Sequence, residues 1–104
     1  MKKLTVSAMG VPWYTREDYP RIRKIMADGD GFASVYEDWL HNAEAVERRL
    51  LRSCGHVVRV MIDPEQFPIW CKIRVLPCDA KSRGRFAAEK ARAALARPSP
   101  ASPI

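Results

Sequence analysis

The stretch Val57-Val58-Arg59-Val60-Met61-Ile62-Asp63-Pro64-Glu65-Gln66-Phe67 decides the fold class. Its first six residues are rich in β-branched side chains, which suit a pleated, half-buried surface, and they predict a strand over 57–62. Asp63 and Pro64 then change the pattern. A carboxylate accepts from the free N–H groups of a helix start, and proline's missing N–H costs nothing at the first helical position. The helix so opened carries Phe67, Trp70, Cys71 and Ile73. These point in several directions, which predicts burial on more than one side.

The same grammar stands 48 residues upstream. Thr15-x-Glu17-x-Tyr19-Pro20-x-x-x-Lys24-Ile25 parallels Asp63-x-Glu65-x-Phe67-Pro68-x-x-x-Lys72-Ile73. Tyr14 and Ile62 are the apolar residues before each cap, and Tyr14 with Tyr19 has the spacing of a hydrophobic staple. Pro20 and Pro68 fall five residues into their helices and predict a tight or kinked first turn. Residues 4–9 alternate weakly and supply a candidate strand, which Gly10 and Pro12 break. Asp28-Gly29-Asp30-Gly31 ends the first helix, with glycines able to take positive φ.

Two further helices complete the order β-α-α-β-α-α. Ser34-Val35-Tyr36-Glu37 reads as a capping box, Ser34 as cap and Glu37 reaching back. In the helix that follows, Val35, Tyr36, Trp39, Leu40, Ala43, Val46 and Leu50 share one arc, opposite Glu37, His41, Glu44, Arg48 and Arg52. Gly55 stops it. Asp79 caps a last helix running to about Ala96. The expectation is a helix-dominated α+β domain over 1–96. Two β-α-α repeats are one reading of it; a vocabulary shared by all helix starts is the other. Residues 97–104 hold three prolines and are expected to be disordered.

Two strands alone do not make a stable sheet. Either 4–9 pairs with 57–62 beneath a helical layer, or 57–62 pairs antiparallel with its twofold copy. Closed twofold dimers are the commonest oligomers, and a homodimer is expected.

Across 104 residues, 47% hydrophobic and 29% charged exclude a wholly disordered chain, a collagen-like repeat and a membrane-spanning protein. The net charge of +6 favours acidic partners, nucleic acid or an acidic protein. The last helix carries Lys81, Arg83, Arg85, Lys90 and Arg92 against Glu89, with Arg97 just beyond, around a stripe of Ala80, Gly84, Ala87, Ala91, Ala94 and Leu95. Lys81, Arg85, Lys90 and Arg92 are the candidate phosphate contacts. The plainer reading, a docked helix whose cations keep it soluble, is preferred. The helix has no Asn or Gln to read bases, so any nucleic-acid binding is expected to be weak and non-specific. Trp13 and Tyr14, beside Pro12, suit an exposed protein interface; their alternative is to plug one end of the core.

Three cysteines are an odd count at irregular spacing, which points to a reducing compartment and a cytoplasmic protein. The apolar stretch near the start is too short for a signal peptide. Cys54, His56, Cys71 and Cys78 are the candidate metal ligands, but their spacing matches no paired knuckle, and inert buried thiols are the expectation. Cys71 with His41 or His56 is the one nucleophile–base pair that can be written; His41 belongs to the solvated face. Asp28–Gly31 lacks the downstream bidentate Glu of a calcium loop. Neither cofactor nor metal is expected.

Taken together, Glu17-Asp18-Tyr19, Tyr36-x-x-Trp39-Leu40 and Ile62-Asp63-Pro64-x-x-Phe67-x-x-Trp70-Cys71 resemble a set of short bacterial proteins of unassigned function, over residues 14 to 92. The resemblance implies a bacterial, cytoplasmic, stand-alone domain and carries no function over to this chain. The expected function is a small non-catalytic binding or interaction module without membrane contact; the alternative is a small enzyme or metal protein using Cys54, His56, Cys71 and Cys78.

Overall fold

The computed structural model describes residues 8–96. In chain order it has β1 (Met9–Trp13), α1 (Tyr19–Ile25), a 3-10 turn (Gly29–Gly31), α2 (Tyr36–Cys54), β2 (Val57–Met61), α3 (Gln66–Ile73) and α4 (Ala80–Ala96). This is the helix-dominated α+β order read from the sequence. The two strands pair parallel within the chain, Met9 opposite Val57 through Trp13 opposite Met61.

The first strand lies further along than expected. Gly10 and Pro12, taken as breakers, sit inside it. Met9 N–H donates to the His56 carbonyl at 3.1 Å, and Ile62 N–H donates to the Trp13 carbonyl at 2.9 Å. Along a strand successive residues turn their main-chain groups to opposite sides. Met9, Val11 and Trp13 therefore face β2, while Gly10 and Pro12 face away. Proline's missing N–H breaks nothing on that free edge. Gly10 is required for a different reason: a Cβ there would stand 2.2 Å from the Ala87 carbonyl oxygen and 3.1 Å from the Ala91 methyl. Helix α4 thus crosses β1 in close contact. The expected strand residues 4–7, and the tail 97–104, lie outside the described residues.

The repeated grammar produces repeated local structure. The strand partners are 48 residues apart throughout. Thr15 Oγ1 accepts from Asp18 N–H at 3.1 Å, and Asp63 Oδ2 accepts from Gln66 N–H at 2.8 Å. The Thr15 carbonyl accepts from Tyr19 N–H, and the Asp63 carbonyl from Phe67 N–H, both at 3.0 Å. Both are i→i−4 bonds, and Asp18 and Glu65 lie in the right-handed helical region, so each helical path begins at its cap and Pro20 and Pro68, one residue later, leave out the next bond of the series. The expected loss of one helical bond is therefore present at both prolines. The likeness ends with the second helices: α4 packs mainly on β1, whereas α2 lies over both strands.

The main core joins Tyr14, Tyr19, Ile22, Met26, Val60, Ile62, Phe67, Cys71, Phe86 and Ala87. Tyr14 and Tyr19 form the expected staple, with ring centroids 6.2 Å apart. Trp13 packs on the other sheet face, edge-on to Trp39 of α2 at 5.2 Å.

Four local expectations need correction. Ser34 does not cap α2; Val35 stands at the cap, its carbonyl accepting from Asp38 and Trp39 N–H. The Tyr36 hydroxyl donates to the Tyr14 carbonyl at 2.8 Å and fixes where the helix begins, while Glu37 pairs with Arg16. Gly29 and Gly31 are not in positive φ; a Cβ on Gly29 would meet the Arg23 carbonyl. Helix α3 buries Phe67 and Cys71 on one side only, and Ile69 and Ile73 face solvent. On α4 the inner face is Ser82, Phe86, Ala87 and Ala91, displaced from the all-small stripe, because Phe86 fills the space between Phe67 and Trp70. The expected stops and caps elsewhere hold. Gly55 ends α2 at φ +80, and Asp79 Oδ1 accepts from Ser82 N–H at 3.0 Å at the start of α4.

Candidate interaction surfaces

Trp13 and Tyr14 are buried, so the exposed aromatic patch expected of them is not there. They plug the core at the strand ends, held from above by Tyr36 and Trp39. Burial raises the Tyr14 hydroxyl pKa to about 12.

Of the sulfur and imidazole candidates, Cys71 and Cys78 are brought together, and Cys54 and His56 do not join them. Cys71 is buried, Cys78 half-buried beside it, and Cys54 and His56 are exposed. The expected burial holds for Cys71, and it pushes the thiol pKa up to about 11. It fails for Cys54, because α2 overhangs the sheet at its C-terminal end. Among the described residues no group of three or more His, Cys, Asp or Glu side chains converges. His41 lies on the solvated face of α2 as expected.

Lys81, Arg85, Lys90 and Arg92 are all exposed on α4. Helical spacing puts Lys81, Arg85 and Arg92 on the outer face. Lys90 lies on another flank, its Nζ 5.4 Å from the Phe86 ring centre. Arg83 is committed elsewhere: it grips Asp28 with two hydrogen bonds of 2.8 and 3.0 Å and lies over the Phe32 ring. That pair ties α4 to the 3-10 turn and borders a cavity of about 250 Å³ walled by Tyr14, Phe32 and Trp39.

Apolar surface left open is the feature that sequence reading missed. Helix α2 has nineteen residues and buries none of them fully. Val46 is 38% and Leu51 44% exposed, although the helix is amphipathic. On the sheet beneath it, Met61 is 51% exposed. The underlying cause is the size of the sheet: two strands, roughly 5 Å apart, are narrower than the helix of about 10 Å diameter that lies on them.

At the centre of this surface Arg59 is folded flat. Its guanidinium stacks 3.9 Å above the Trp13 ring and donates to Glu47 of α2 at 2.7 and 2.8 Å. The contact holds the Glu47 carboxyl below the usual carboxylate range. It also fixes the rotation of α2, so that Leu51, one turn further, and Leu40, two turns back, lie on the β2 side. Comparison with protein-family models, curated proteins and solved structures gave no match. No described helix is long and apolar enough to cross a membrane.

Proposed function

We propose that this chain is a small, non-catalytic interaction module that works as a homodimer in the cytoplasm. The exposed apolar side chains Val46 and Leu51 on α2 and Met61 on the sheet support this reading. A lone helix that size would be expected to bury its apolar arc, and open apolar surface of this kind marks association sites. Three free cysteines fit a reducing compartment. Cys71, the one candidate nucleophile in the core, is held protonated by its burial, which argues against thiol catalysis. A native mass spectrum tests the proposal. Ions at twice 11.8 kDa are expected, and ions at 11.8 kDa alone, at every concentration, would refute it.

A second reading, weak contact with nucleic acid through α4, is favoured by the exposed row of Lys81, Arg85 and Arg92. Three phosphate contacts predict a log–log salt slope of about −2 to −3. Charge reversal at Lys81 and Arg85 should abolish that binding and leave the fold intact; unchanged binding removes this reading.

A further inference from the structure

We infer that the outer edge of β2 is the dimer contact, pairing antiparallel with the same edge of a second copy so that Arg59 stands opposite Arg59 of that copy. This rests on the proposal that the chain self-associates and adds the surface, register and partner.

The main-chain pattern selects the edge. In the parallel ladder His56, Val58, Val60 and Ile62 turn their groups toward β1. Val57, Arg59 and Met61 turn theirs outward, and among the described residues no backbone partner meets them. The outer edge of β1 is blunted by Pro12, which has no N–H to offer. The β2 edge carries no proline. Its one charged side chain, Arg59, is drawn over the Trp13 ring by Glu47. The usual protection of an edge strand is thus present on β1 and neutralised on β2.

The same pattern selects the partner. Under a twofold axis through Arg59, Val57 of each copy faces Met61 of the other. All three outward residues then exchange both N–H···O bonds, six in total for the pair, by the geometry of antiparallel hydrogen-bonded pairs. Arg59 neutralised by Glu47 leaves no net local charge to attract an acidic peptide or to repel a second copy. Perpendicular to the sheet, this axis keeps α2 of both copies on one face. Each α2 spans its own two strands, so the helix axes come to rest two strand spacings apart, roughly 10 Å. That is an ordinary distance for packed helices. The exposed Leu51 and Met61 would then lie between them, and the two-stranded sheet becomes four-stranded, a size that stands independently.

Sedimentation velocity with wild type, Met61→Pro, Met61→Lys and Ile73→Lys tests the inference, with circular dichroism as a check on folding. Met61→Pro deletes an outward N–H and leaves the inner ladder whole, as Pro12 does on β1. Met61→Lys keeps the N–H but places a charge at the contact, and serves if the proline variant does not fold. Ile73→Lys alters the open outer side of α3, the rival surface. The expected result is a twofold loss of mass for both Met61 variants with helical signal retained, and an intact dimer for Ile73→Lys. A wild-type monomer would overturn the inference together with the self-association reading. Dimers that survive both Met61 changes, or that dissociate only on Ile73→Lys, would overturn the β2 edge and leave self-association standing.

Discussion

Val75 holds φ +56 just after α3, a left-handed conformation that a β-branched residue rarely adopts. The helix end explains it. Leu76 N–H donates to the Cys71 carbonyl at 2.9 Å and Val75 N–H to the Lys72 carbonyl at 3.1 Å, the two bonds of a Schellman motif whose pivot is usually glycine. Holding an L-residue there costs about 1–2 kcal/mol. Val75 is 89% exposed, so removing its side chain forfeits only about 0.2–0.3 kcal/mol of burial. Glycine adds unfolded-state freedom worth roughly 0.5–1 kcal/mol. The balance for Val75→Gly is a gain of about 0.5 kcal/mol, a rise in Tm of roughly 2–4 °C for a domain this size. Val75→Ala retains the Cβ and should gain nothing. Gly55→Val is the mirror experiment. At φ +80, with open space around its Cβ, the conformational cost of about 1–2 kcal/mol is offset by roughly 0.5–1 kcal/mol of unfolded-state freedom removed with the glycine, so the net loss should be about 0.5–1 kcal/mol. Thermal and urea unfolding followed by circular dichroism read all three. A Val75→Gly protein less stable than wild type, or a Val75→Ala protein equal to it in gain, would refute the reasoning.

Gly10→Ala drives a methyl into the Ala87 carbonyl and should cost about 1–3 kcal/mol or more, seen as a lower urea midpoint. Asp28→Asn removes the charge and one of the two acceptor oxygens facing Arg83, whose side chain is only 12% exposed, and should cost about 1–3 kcal/mol. The Asp28 pKa is lowered by the Arg83 hydrogen bonds, so its contribution is present above the ordinary carboxylate pKa and is lost as pH falls through the folded value. Wild type and Asp28→Asn should therefore converge in stability on acidification. Tyr14, with its pKa raised to about 12 by burial, contributes stability that is intact below pH 10 and lost as pH rises toward 12. Tyr14→Phe should flatten that alkaline decline by about 2–3 kcal/mol, and an unchanged profile would show that another group causes it.

Local signals carried much of this fold. Asp79 and Gly55 act where their chemistry places them, and the parallel at an offset of 48 reappears as strand register and as matching capped turns. Tertiary demands hid the rest. Gly10 and Pro12 read as breakers because nothing local announces that α4 presses on one and that the other faces a free edge. Ile73 read as buried because periodicity shows which residues share a side, not whether anything covers it. Trp13 and Tyr14 read as loop aromatics because β1 was placed four residues early. Cys54 sits on the apolar arc of α2, yet that arc outruns the narrow sheet. The open surface was invisible for the same reason: only the width of the sheet under α2 reveals it.

Hydrogen exchange at single residues along β2 tests the dimer most directly. Val58, Val60 and Ile62 face β1 and are protected whether the chain is single or paired. The account predicts comparable protection at Val57, Arg59 and Met61, diminishing as the protein is diluted. Fast exchange at those three amides beside slow exchange at their neighbours, at every concentration, would leave β2 a bare edge and contradict it.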